Sequence, residues 1–360
     1  MNLLVKKINQ CTLKYLVAAL LFSLLLSGCV ISPRRTVGGG ATPTPTPTPQ
    51  PGAQGKLYVA NAGDDSILRF DNAASANSNL APAAIISGTN SGLNAPNYIF
   101  LDSTNDRLYV TNQGGASILV FDSASTLTTG DPAPTRTITG ANTGLTIPVD
   151  VAVDAVRDLL YVVNGVHVLV FSPASTVAND APFARDITPG FAPSAMFLDA
   201  ASDRLFLADS VGNAIDVYNN ASTLTSGTPT ATHIVRGPST KLNQPVGIAV
   251  DAVGKLIVSN LGSQSITVYP NAEGADADVP AQVEITGATT TLSSPAQIAV
   301  NNSDVLVELF VANTDGGNVP IFSDLGANDG NIAPSRNITG PATNLSPTGA
   351  ATGIALDPNR

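Results

Sequence analysis

Side chains able to do acid, base or metal chemistry are sparse in this chain of 360 residues. It has 2 His, His167 and His233, three glutamates, Glu273, Glu284 and Glu308, and 2 Cys, Cys11 and Cys29. An enzyme needs such groups brought together in one place. The sequence contains no G-x-S-x-G, H-E-x-x-H, C-x-x-C or phosphate-loop pattern that would do so. Asn and Asp, by contrast, recur in two periodic series. One runs Asn61, Asn112, Asn164, Asp209, Asn260 and Asn313, and the other Asp102, Asp154, Asp199, Asp251, Asn301 and Asp357. Such residues cap turns, and in a closed ring the first series would also set polar groups around one mouth. The oxygen-rich stretches NTDGGN from Asn313 and DLGANDGN from Asp324 are of the kind that suits calcium. Neither has the full ligand spacing of a calcium loop, and Asp-Gly is the usual hairpin turn. No metal ligand and no cofactor is therefore assigned.

The elements that must position these residues come from a repeated phrase. LYVANAGDDSILRFD from Leu57 returns as LYVTNQGGASILVFD from Leu108, LIVSNLGSQSITVYP from Leu256 and LFVANTDGGNVPIFS from Leu309. Counting weaker copies at Leu160 and Leu205, the spacings are 51, 52, 45, 51 and 53, which means a solenoid or a propeller. Each copy offers four short runs rich in Val, Ile, Thr and aromatics, broken by Gly, Asn, Asp or Pro. In the second copy these are LYVTN, ASILVFD, PTRTITG and the inner run IPVDVAVD. Four strands per unit make one propeller blade. The first copy lacks an inner strand, and the chain stops at GIALDPNR, an inner strand lacking its blade. Complementary halves suit a ring, so the expectation is an all-β, six-bladed propeller of four-stranded antiparallel blades. The C-terminal strand closes it by pairing with the N-terminal strands.

The run PVGIAVDAVGKLIVSN at 245–260 resembles the unit of NHL-type and related six-bladed propellers, and the resemblance extends over about residues 56–360. That resemblance implies binding modules, scaffolds and some enzymes, so it does not by itself choose a function. Gluconolactonase-like and calcium-dependent lactonase propellers are its enzymatic members. Their metal site includes a glutamate near the channel. Here Glu273 and Glu284 fall in an outer loop and strand, and Glu308 falls by the opposite face.

Ahead of the repeats, Lys6, Lys7 and Lys14 precede the apolar run YLVAALLFSLLL and then Ser27, Gly28 and Cys29. A largely apolar run of twelve residues is too short to span a bilayer but suits a secretory signal. The ending LSGC resembles the lipobox of bacterial lipoproteins, whose cysteine becomes the lipidated first residue. That resemblance implies a signal peptide over 1–28, a lipid anchor on Cys29 and a place in the cell envelope, with the outer membrane as default. RRTVGGGATPTPTPTPQPG follows, a Pro-alternating semi-rigid spacer completing a tether over 29–55. With residues 1–28 removed, 14 basic residues face 27 acidic ones, a charge of -13. That balance repels phosphate backbones and excludes nucleic acid as a partner.

Loop lengths then suggest where a ligand would sit. The turn between strands two and three shares a face, here the upper face, with the link to the next inner strand. From the end of strand two to the aromatic of strand three the distance is 9 residues in five copies and 7 from Asn164 to Phe171. The link from the outer-strand Gly to the end of the next inner strand is 14 in four copies, 17 from Gly340 to Asp357, and 9 from Gly190 to Asp199. The third copy should thus carry a notch near His167 and Phe191. Four residues before each inner-strand end stand Tyr98, Asp150, Ala195, Gly247, Gln297 and Gly353. The candidate ligand-binding set is Tyr98, Asp150, Gln297, Asn164, His167 and Asp209. The expected function is a lipid-anchored envelope module binding a protein, glycan or small molecule on the upper face. A lactonase-type envelope hydrolase is the alternative.

Overall fold

The computed structural model describes residues 55–302, 307–326, 329–345 and 351–360. Cys29, the signal segment and the tether lie outside the described residues. Twenty-four strands, β1 to β24 in chain order, form six four-stranded antiparallel sheets. In blade 1 the order is β24 (Ala351–Asp357), β1 (Lys56–Asn61), β2 (Ser66–Asp71) and β3 (Ala84–Ile86). The next five blades use consecutive strands and begin with the inner strands β4 (Pro96–Asp102), β8 (Pro148–Asp154), β12 (Ala195–Asp199), β16 (Pro245–Val250) and β20 (Pro295–Asn301). These inner strands touch in the cycle β24, β4, β8, β12, β16, β20 and back to β24, so the ring is closed. The C-terminal strand pairs with the first, Leu57 opposite Leu356 and Val59 opposite Ile354.

Why the second strands read as unbroken apolar runs follows from this geometry. β1, β5 (Arg107–Asn112) and β9 (Leu159–Asn164) are buried at every position but their first. Each blade is sandwiched between two others, so both faces of a strand lose their water. The buried apolar residues accordingly gather in six clusters, each between two neighbouring blades. Blade 1, for instance, sets Leu57 and Phe70 against Phe310 and Ile321 of blade 6.

A second belt runs around the rim. Each loop between strands three and four leans onto the outer strand of the preceding blade and makes a parallel bridge there: Gly130 with Ile86, Asn179 with Ile138, Gly227 with Ile187, Ala277 with Val235, Gly330 with Ile285 and Ser78 with Ile338. An exposed outer strand would otherwise offer unpaired backbone groups to other chains. Four arginines hold these loops. Arg136 donates to the carbonyls of Ala174 and Val177, and Arg336 to those of Ala73 and Ala76. Arg69 bonds the Ser125 and Leu127 carbonyls, and Arg185 that of Leu224. Next to the bridge, an Asx side chain accepts backbone N–H groups of the preceding blade's upper link: Asp131 from Asn90 and Ser91, Asp180 from Asn142, Asp278 from Ser239, Asn331 from Thr289 and Asn79 from Ala342. The remaining copy has Thr228, hydroxyl to hydroxyl with Thr188. It faces the shortened link 188–194, which has no turn to cap.

Candidate functional site

Five of the six inner strands carry a register shift near their upper end, at Pro96/Ile99, Pro148/Asp150, Pro245/Gly247 and Pro295/Ile298 and in β24 opposite Ala60/Asn61. Such bulges re-aim a side chain, and here they direct one residue per blade toward the channel. Tyr98 is buried, and its hydroxyl donates to the Val246 carbonyl. Tyr98 belongs to blade 2 and Val246 to blade 5, which lie opposite in the ring, so this side chain crosses the channel. Gln297 accepts from the backbone of Ile99 (3.2 Å) and Ile354 (2.8 Å) and donates to the Ile99 carbonyl (3.0 Å), tying blades 6, 1 and 2. It can reach past blade 1 because position 353 is glycine: a Cβ there would stand 2.4 Å from the Asn97 carbonyl oxygen. Gly247 meets the Ala296 carbonyl equally closely. The small residues of this layer thus make room for the large ones.

Asp150 is the third cross-link. One oxygen accepts from Val151 (2.8 Å) and the other from Met196 of blade 4 (2.7 Å). Burial pushes its carboxyl up to about 7, against the backbone bonds from Met196 and Val151, which pull it down. The same burial, with the nearby Asp150 charge, raises the Tyr98 phenol. The three channel members of the expected ligand set are therefore engaged with other blades. These bonds tie the blades together across the upper channel.

The Asn series also has a definite task. Asn164 accepts from Thr146 (2.8 Å) and Ile147 (2.9 Å) and donates to the Gly144 carbonyl (3.0 Å). Asn112 does the same with Asn94 and Gly92, and Asn313 with Ser293 and Thr291. These side chains clamp the incoming upper link to the second strand, a longer reach than the turn capping expected. Asp209 does cap its own turn, through Val211 and Gly212. The lower series caps as expected: Asp102 with Asn105, Asp154 with Val156 and Arg157, Asp251 with Val253 and Lys255. The NTDGGN stretch is a hairpin turn whose Asn313 and Asn318 side chains bond to each other.

His167 sits on β10 (His167–Phe171), its Nδ1 2.9 Å from Asp186. Phe191 packs against the cluster between blades 3 and 4. On the next blade, Asp209 of the expected set interacts with Asp216, which that set lacked. Asp216, on β14 (Ala214–Asn219), occupies the position of Leu68, Leu119 and Leu169. Burial and then the Asp209 charge push its carboxyl up to about 6, with Arg236 pulling the other way. The glutamates are all in ion pairs: Glu273 with Arg204 (3.0 Å), Glu284 with Lys241 (3.4 Å) and Glu308 with Arg336 (2.6 Å).

Outside the channel, the upper face is chemically lopsided. Ile147 is 53% exposed and Val166 51%, both on blade 3, with Val211 89% on blade 4 and Leu261 38% on blade 5. The matching turns of blades 1, 2 and 6 hold Asp64 and Asp65, Gly114 and Gly115, and Asp315. Val211, Leu261 and Val246 share a concavity of about 450 Å³, completed by Ser210, Asn213, Asn243 and Gln244. Its walls are cross-bonded. The Gln244 N–H donates to Asn213 Oδ1 (2.7 Å) across blades 4 and 5, Leu261 to the Gln244 carbonyl and Asn243 to Asn260 Oδ1. This surface lies one blade beyond the expected notch. The signal for it is present in the sequence as a large apolar residue in the turns after Asn164, Asp209 and Asn260.

Among solved structures, the chain is similar to one in the crystal structure of a nidogen/laminin complex, with a TM-score of 0.61 and 14% identity, covering 84% of this chain and 98% of that one. It is also similar to a functionally unknown protein from Desulfotomaculum acetoxidans DSM 771, with a TM-score of 0.53, 12% identity and the same coverages. At these identities the likeness is one of fold. No family model matches the chain, and no curated protein matches it.

Proposed function

We propose that this protein is a lipid-anchored binding module of the cell envelope whose propeller docks a partner protein on its upper face. The observation that carries this reading is the set of exposed apolar residues on the upper face of three consecutive blades, Ile147 and Val166, Val211, and Leu261, of which Val211 and Leu261 line a preorganised concavity. Exposed apolar patches of this kind mark interaction sites, and walls already held by hydrogen bonds lower the entropy lost on binding. The lower-face residues Val156 and Val253 are also exposed, but each stands in a turn beside charged side chains, Arg157 and Lys255.

A protein is favoured over a glycan because sugar faces and bases stack on exposed aromatic rings. Among the described residues the six tyrosines are buried and Phe183, at 37%, is the one exposed aromatic side chain, while Trp is absent from the chain. Catalysis of the lactonase type is disfavoured because Tyr98, Asp150 and Gln297 tie the blades together across the upper channel and each glutamate is held by a cation.

Photo-cross-linking in cells tests the reading. A photoreactive residue at Val211 of the full chain should give a discrete protein adduct, and one at Val253 should give none. The reverse pattern would place docking on the lower face.

A further inference from the structure

The exposed apolar residues do not stand alone on the upper face. Opposite them, across the channel mouth, the turns of blades 1 and 6 present the exposed carboxylates of Asp64, Asp65 and Asp315. Each makes one hydrogen bond within the protein, Asp64 with Asn61, Asp65 with Ala95 and Asp315 with Ser294. A carboxylate has about four acceptor sites, so a single bond leaves capacity for a further donor. The field of the whole propeller points the same way. Residues 55–360 carry 12 Lys and Arg against 27 Asp and Glu, that is 12 − 27 = −15. Most of those cations are occupied: Arg69, Arg107, Arg157, Arg204 and Arg336 with carboxylates, Arg136 and Arg185 with loop carbonyls. A cationic partner is thus drawn toward the molecule at long range and meets unneutralised carboxylates at one edge of the mouth.

Resting on the docking reading above, we infer that the partner presents a segment joining apolar side chains to Lys or Arg. The apolar residues enter the Val211, Val246 and Leu261 concavity, and the cations reach Asp64, Asp65 and Asp315. The buried apolar contact supplies affinity. The acidic edge supplies orientation and association rate, as charges at the rim of an interface do.

The probe is a displayed library of random 12-residue peptides, selected on the full-length protein held in detergent. The selected peptides should combine two or more apolar residues with Lys or Arg. They should lose about tenfold or more in affinity on Val211→Asp, which places a charge in the concavity. On Asp64→Asn with Asp65→Asn and Asp315→Asn they should weaken severalfold and lose most of their salt dependence. Unchanged melting temperatures show that these variants remain folded. Peptides that are lost on Val211→Asp but are acidic, or keep their affinity in the triple Asn variant, overturn the inference and leave upper-face docking standing. Peptides that bind Val211→Asp as well as wild type, or a library from which nothing is enriched, overturn both.

Discussion

Asp150 holds two backbone donors at the upper end of the channel, and its burial leaves a pH signature. An unfolded Asp loses its proton near 3.8, whereas the folded group keeps it up to about 7. Between those values the folded state binds more protons than the unfolded one, so stability falls as pH rises from about 4 to about 7 and levels above that. The full effect is on the order of 4 kcal/mol. Asp216, pushed up to about 6, slopes in the same direction. The comparison with Asp150→Asn therefore isolates Asp150. The variant should be weaker than wild type by about 1 kcal/mol at pH near 4, because an amide nitrogen cannot accept one of the two backbone bonds. It should then show a flatter profile up to pH 7. Urea unfolding midpoints across that window check this, and parallel wild-type and variant profiles would refute it. Copy-by-copy alignment made the Tyr98, Asp150 and Gln297 layer legible as one layer at the channel. Where each side chain ends was not legible, because Tyr98 meets Val246, 148 positions further along the chain, only once the ring has formed.

Strands were legible where the periodic run of Val, Ile and aromatic residues coincides with burial on both faces. The rim belt was not, and its six bridging residues show why. Ser78, Gly130, Asn179, Gly227, Ala277 and Gly330 share no side-chain chemistry. They share a positive φ, from 54° at Ala277 to 149° at Gly130. Residue types hint at that backbone state without specifying it. The near-constant spacing of 18 or 19 residues from the strand-three aromatic to the outer-strand Gly was the visible trace of this constraint. A loop that must reach the preceding blade cannot change length freely. Closure at the inner strand was read from the two chain ends, and it makes the next prediction. Deleting residues 349–360 removes β24, exposing the inner edge of β1 and the apolar side chains of Leu57 and Val59 that pack with Ile354. The rim bridge from Ser78 to Ile338 and the Arg336 contacts to Ala73 and Ala76 would remain. Those few bonds are small beside the loss of a whole strand and its apolar contacts. The truncated protein should aggregate or melt far below wild type. An unchanged melting temperature would mean that the rim belt alone closes the ring.

At the scale of the molecule, the charge of the propeller bears on what it can meet. The acidic balance was legible from composition. The exposed apolar residues are not legible one by one, because a single Val or Leu in a turn is ordinary, and their meaning arises only when three neighbouring blades set theirs on one face. The proposed attachment rests on Cys29 as the anchor. A single acyl chain binds a membrane reversibly, and stable anchoring takes more than one. Removing the site of attachment should therefore release the protein outright, since an acidic propeller has no attraction for an anionic lipid surface. Cys29→Ser, expressed with its signal segment intact, should move from the membrane fraction to the soluble fraction and take up no labelled fatty acid, while its melting temperature matches wild type. If the variant remains with the membrane and the wild type incorporates no label, the protein is held by contact with another component.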